Sequence, residues 1–148
     1  MKKIILLLTI VLLLCSCTNK KNNERYNELV NELKNVTSST ENIDIDIEVE
    51  VEYLKDNLKN YRILINKPDF EMKNITALAI TNEEEDMYPS IGIFDDKITL
   101  NKDSKNKGIK LSGYFEREDI EFKVYINFTK EGKDYTYYYL ADKVTYYE

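Results

Sequence analysis

The sequence predicts an all-β domain, an antiparallel β-sandwich, preceded by a short helix or linker. Three observations carry that prediction. Residues 43–53 alternate without a break: Ile43, Ile45, Ile47, Val49, Val51 and Tyr53 are interleaved with Asp44, Asp46, Glu48, Glu50 and Glu52, the period of a half-buried strand. Shorter runs rich in Ile, Val, Phe and Tyr recur after it, divided by turn residues. No segment among them is long enough for the helix of a parallel crossover.

The elements follow in order. Tyr61–Ile65 and Ile75–Ile80 are compact apolar runs, separated by the turn Lys67-Pro68-Asp69. Ile91–Phe94 and Ile98–Leu100 flank Asp95-Asp96. Ile109–Phe115 follows the polar stretch Asn101–Gly108. Ile120, Phe122, Val124, Ile126 and Phe128 then share one face of a strand, with Glu121, Lys123, Tyr125 and Asn127 on the other. Lys130-Glu131-Gly132-Lys133 supplies a tight turn, because glycine tolerates positive φ. Tyr135–Ala141 returns as the last long strand. The segment Gly108–Leu140 (GIKLSGYF, then IEFKVYINFTKEGKDYTYYYL) resembles the closing strands of an immunoglobulin-like domain. That resemblance implies the sandwich fold alone, since the Cys–Trp–Cys core of antibody domains is absent.

Upstream of the sandwich, Tyr26, Leu29, Val30, Leu33 and Val36 fall at helical spacing. They predict a short amphipathic helix that packs on the domain or frays, with a docking helix for a partner as the alternative, after a polar, disordered stretch over residues 18–23. The first residues read as targeting apparatus. Lys2 and Lys3 precede an 11-residue apolar run, Ile4–Leu14, broken by Thr9. As a helix it spans about 17 Å, short of the roughly 30 Å hydrocarbon core, so it is the apolar region of a signal peptide. Leu14-Cys15-Ser16-Cys17 resembles the bacterial lipobox: leucine three places before the acceptor cysteine, a small residue directly before it. The resemblance implies cleavage before Cys17 and a diacylglycerol thioether on it, and two or three acyl chains anchor stably. The expected organisation is a cleaved signal over residues 1–16, a lipidated Cys17 with linker or helix over 17–40, and the β-sandwich over 41–148. It places the protein on the extracytoplasmic face of the cell membrane, or in the outer membrane of a two-membrane bacterium.

Composition narrows the chemistry. The 148 residues carry 21 basic and 27 acidic side chains, and cleavage before Cys17 removes Lys2 and Lys3, leaving a net charge of −8. Such a charge repels nucleic-acid phosphates and anionic headgroups. Histidine and tryptophan are absent, and the two cysteines are Cys15 and Cys17. The domain therefore has no disulfide, no thiol nucleophile and no imidazole or thiolate for a metal. Without a nucleophile, phosphate-loop or cofactor motif, the expectation is a non-enzyme with no cofactor and no metal site. With 27 acids in the chain, a carboxylate pair for a small hydrolase carries no specificity.

Two features remain as candidate contact surfaces. Eight of the 12 tyrosines lie after residue 113. Tyr135, Tyr137 and Tyr139 alternate with Tyr138, so phenols occupy both faces of that strand, and Tyr125 joins one of them. Amphipathic phenols of this kind serve protein and glycan recognition, or else simple packing at the sheet margin. The carboxylates Asp44, Asp46, Glu48, Glu50 and Glu52 form one face of the first strand. Read plainly, they protect an outer strand from edge-to-edge pairing; read as a site, they dock a basic partner. The run Glu83-Glu84-Glu85-Asp86 reads as a solvated loop. The function expected is a lipid-anchored surface module that binds an envelope protein or glycan. An immunity or exclusion lipoprotein, blocking a toxin or phage at the cell surface, is the alternative.

Overall fold

The computed structural model describes residues 20–66, 68–101, 103 and 108–147. The stretch expected to be a signal sequence, and Cys17 after it, fall outside the described residues. A helix, α1, runs over residues 20–34. Nine strands follow: β1 (Ile47–Tyr53), β2 (Lys59–Asn66), β3 (Met72–Thr81), β4 (Ser90–Ile91), β5 (Ile98–Leu100), β6 (Gly108–Phe115), β7 (Phe122–Lys130), β8 (Lys133–Leu140) and β9 (Thr145–Tyr147). They form two sheets, β6-β2-β1-β9 and β4-β3-β7-β8, with β5 also pairing β3. All pairings are antiparallel except β1 with β9. The result is the β-sandwich that the sequence predicts.

The main core lies between the sheets. Val49, Val51, Tyr61, Ile63, Ile65, Leu111 and Phe115 from one sheet meet Ile75, Ala77, Val124, Ile126 and Phe128 from the other. Alternation decides which residues enter it: in β2 the odd positions are buried and the even ones half-exposed. The β7–β8 hairpin closes on Glu131 and Gly132, both at positive φ (50° and 76°), between the paired Lys130 and Lys133. That is the type I′ geometry whose twist suits a two-residue hairpin.

A second core lies outside the sandwich. Tyr26, Leu29, Val30 and Leu33 of α1 are buried against Leu78 and Ile80 of β3, Tyr125 of β7, Tyr88 and Ile93. This explains β3, which is buried at every position from Ile75 to Thr81 instead of at alternate ones. A strand covered on both faces reads as a continuous apolar run. Lys123 Nζ donates to the carbonyls of Lys34 (3.0 Å) and Val36 (2.7 Å) at the helix C-terminus, satisfying acceptors that the helix leaves free and placing a cation at its negative end.

Three expectations change. The stretch expected to be disordered before α1 is helical from residue 20, because the helix is held by its packed face and not by propensity alone. The first strand begins at Ile47, not Ile43. Residues 43–46 instead cross between the sheets: Ile43 and Ile45 pack on the main core, and Asp44 reaches Lys130 and Tyr137 of the opposite sheet. The short β9 joins β1 on the side away from β2, so β1 is an interior strand rather than an outer one.

Candidate functional site

The tyrosines read as a recognition surface are drawn into packing. Tyr125 is 4% exposed and lies beneath α1, its ring 5.8 Å from that of Tyr138; burial raises its phenol pKa. Tyr138 donates its hydroxyl to Glu32 on α1 and its backbone N–H to Thr40 Oγ1. Burial, and then the Glu32 carboxylate, push its pKa up to about 12. The outward phenols of β7 and β8 therefore form the floor of the helix seat. Tyr137 points to the other side, buried in the main core, and donates to Asp44 Oδ1 at 2.8 Å. Burial together with that bond raises it to about 12 as well. Tyr135 and Tyr139 pack half-buried against the same core, Tyr135 stacked on Phe128 with centroids 5.6 Å apart.

The carboxylates of the acidic face are engaged within the domain, two cations and neutral donors sharing them. Arg62 on β2 lies 3.3 Å from Glu50 and 3.7 Å from Glu52. Asn66 donates to Asp46 (2.8 Å) and Glu48 (2.7 Å). Tyr147 donates to Glu50 at 3.3 Å. Asp44 pairs with Lys130 at 2.6 Å. Burial alone would raise the Asp44 pKa, but the hydrogen bonds from Lys130 and Tyr137 outweigh it and hold the carboxyl below its usual range. Within the domain, a cross-strand arginine pairs Glu50 and Glu52, while Asp46 and Glu48 take neutral amide donors and keep their charge.

The sandwich is closed on one side and open on the other. On the closed side β9 covers the edge of β1, and the loop after α1 covers β8. There Thr40 N donates to Tyr138 O (2.8 Å), and Leu140 N donates to Ser39 Oγ (2.9 Å). On the open side, among the described residues, β6 pairs only with β2, and the two-residue β4 only with β3. A groove of about 630 Å³ runs between these edges. Met87, Phe94 and Tyr114 line it, exposed by 58%, 37% and 59%. Three large apolar side chains gathered in solvent around one groove mark a contact surface more often than isolated ones do.

The groove is acidic. Glu85 and Asp95 line it, and among the described residues no lysine or arginine does. The acidic run does not extend freely into solvent. Glu83 is tied back, its carboxylate accepting from Glu116 N (3.2 Å) and its carbonyl from Tyr88 Oη (2.8 Å). Glu85 turns inward, its carboxylate accepting from Thr81 Oγ1 (3.2 Å) and from Tyr61 Oη (3.4 Å). Burial raises the Glu85 pKa against those two bonds, and burial with the neighbouring carboxylate raises that of Tyr61. Gly113 completes the wall. A Cβ there would stand 2.6 Å from the Tyr61 hydroxyl, so the phenol occupies the space that a side chain at 113 would need. Sequence reasoning did not bring these residues together, because they come from three segments that meet only through the sheet pairing.

A smaller cavity of about 320 Å³ lies beside the C-terminal end of α1, lined by Lys34, Thr81, Glu121 and Lys123 among others. The ammonium of Lys123 is already engaged with the helix carbonyls there. Among the described residues no cluster of three or more acidic, cysteine or histidine side chains could hold a metal ion, and no helix is long and apolar enough to cross a membrane. Comparison with protein-family models, curated proteins and solved structures finds no match.

Proposed function

We propose that this protein is a lipid-anchored recognition module of the bacterial cell surface, which binds an envelope protein through the groove on the open side of its sandwich. The observation that carries the reading is the asymmetry of the sandwich. One side is sealed by β9 and the loop over β8, while the other leaves two strand edges bare around exposed Met87, Phe94 and Tyr114. An apolar centre with a polar, charged rim is the usual anatomy of a protein contact. Of the two groove carboxylates only Glu85 is withdrawn from solvent, which suits binding better than acid–base chemistry.

The lipid anchor rests on the apolar run before Leu14-Cys15-Ser16-Cys17. Helix α1 begins at residue 20, close behind Cys17, and is fixed to the sheet by its buried face. A lipid on Cys17 would therefore hold the whole domain at the bilayer in a limited set of orientations. The test has two arms. Mass spectrometry of the protein from its native membrane is expected to find residue 17 as the first residue, carrying diacylglycerol. Affinity capture of a defined envelope protein is expected to fail when Met87 and Tyr114 are both changed to lysine, and to survive Tyr147→Lys on the opposite margin. Capture unaffected by the groove pair refutes the site.

A further inference from the structure

We infer that the occupant of the groove is an extended, basic peptide segment that adds to β6 as a further strand. The inference deepens the recognition reading above and rests on it. β6 is eight residues long and pairs on one side only. Alternate residues of such an edge aim both N–H and C=O away from the sheet, a ready template for an incoming strand. Strand addition draws its affinity from those main-chain groups and its specificity from pockets for alternate side chains.

The groove supplies such pockets. Successive residues of an added strand point alternately to the two faces of the sheet. Those on the inner face enter the space between β6 and β4, walled by Met87 and Phe94. Beside Gly113 the buried Tyr61 phenol fills the space that a side chain of β6 would take, and the polar lining residue nearby is Glu85, whose carboxylate accepts from that phenol. The lining thus offers the acceptors Glu85 and Asp95 and, among the described residues, no cation. A lysine or arginine on the incoming strand meets both conditions; an acidic segment meets a like charge in a partly desolvated slot. Tyr114, exposed on the outer face, covers the next position along.

The test uses the full-length protein in detergent and peptides of eight residues, the length of β6. One alternates Lys with Val, one Glu with Val, and two are Lys–Val peptides N-methylated at either odd or even positions. The Lys–Val peptide is expected to bind at least about tenfold more tightly than the Glu–Val peptide, the effect of one good charge contact. Methylation at one parity should abolish binding and at the other leave it intact, since only one set of N–H groups faces β6. Binding should slow amide exchange along β6, and Glu85→Gln should weaken the Lys–Val peptide about tenfold with an unchanged circular dichroism spectrum. Equal binding of both charges, indifference to methylation parity, or a β6-mediated dimer of the protein itself that excludes peptide would overturn the inference. If Met87→Lys and Tyr114→Lys together abolish capture of the envelope partner while no peptide binds, strand addition falls and the recognition site stands. If they leave capture unchanged, the recognition reading itself has failed.

Discussion

Replacing Tyr125 with alanine separates a packing role from a recognition role. The side chain is 4% exposed and belongs to one apolar cluster with Tyr26, Leu29, Val30 and Leu33 of α1 and Leu78 and Ile80 of β3. Truncating a buried aromatic ring removes its transfer free energy and leaves a cavity, together about 3–5 kcal/mol. That is a large part of a total stability of roughly 5–15 kcal/mol. For a domain of this length each kcal/mol moves Tm by about 3–5 °C, so Tyr125→Ala should fall by about 10–20 °C in a thermal scan followed by circular dichroism. Tyr125→Phe keeps the ring and should stay within about 1.5 kcal/mol of the parent. Leu29, fully buried in the same cluster, should lose about 2.7–5 kcal/mol as alanine. Because both substitutions loosen one helix seat, the double variant should fall short of the sum by about 1 kcal/mol or more. A Tyr125→Ala protein within about 1 kcal/mol of the parent, or strict additivity with Leu29→Ala, would refute a docked helix.

Glu131 holds a positive φ of 50° in the β7–β8 turn, a conformation that asparagine tolerates better; Glu131→Asn should stabilise by about 0.5–1 kcal/mol in urea unfolding. Gly113→Ala drives a methyl to within 2.6–2.8 Å of the Tyr61 hydroxyl and ring, and that ring is boxed in by Phe115 and Phe122; a loss of about 1–3 kcal/mol is expected, partly recovered in Gly113→Ala with Tyr61→Phe. The folded-state pKa of Asp44 lies below the usual carboxylate value, so its contribution is present above that value and is lost as pH falls through the lowered one. Asp44→Asn should therefore flatten the acid limb of a stability–pH profile. Glu85 has the opposite sign: its raised folded pKa means stability declines as pH rises from the ordinary glutamate value through the raised one, and Glu85→Gln should remove that decline.

Local periodicity made most of the sandwich readable. The alternation at Ile43–Tyr53, the Phe122–Phe128 face and the Lys130–Lys133 turn each depend on neighbours in sequence, and each maps onto a strand or hairpin of the fold. The start of β1 was misplaced because alternation reports which side chains are apolar, not which backbone is paired. Ile43 and Ile45 are core residues outside any strand. β9 is three exposed residues, Thr145–Tyr147, with no buried face to produce a pattern.

The two surfaces behaved differently for a physical reason. The phenols of β7 and β8 looked available because an amphipathic helix and an outward tyrosine row were each judged alone. Yet the unbroken apolar run Ile75–Ile80 already required a cover on both faces of β3, and α1 carries an apolar stripe upstream that provides it. The groove left no comparable trace. Met87, Phe94 and Tyr114 are ordinary residues in three separate segments, and a lone exposed apolar side chain means little. They become a site because β3 and β6 lie toward the same side of their respective sheets, with just the short strands β4 and β5 beyond β3 among the described residues. A surface of that kind is a property of topology: it depends on which strand is left last in each sheet, and on nothing that any single segment encodes.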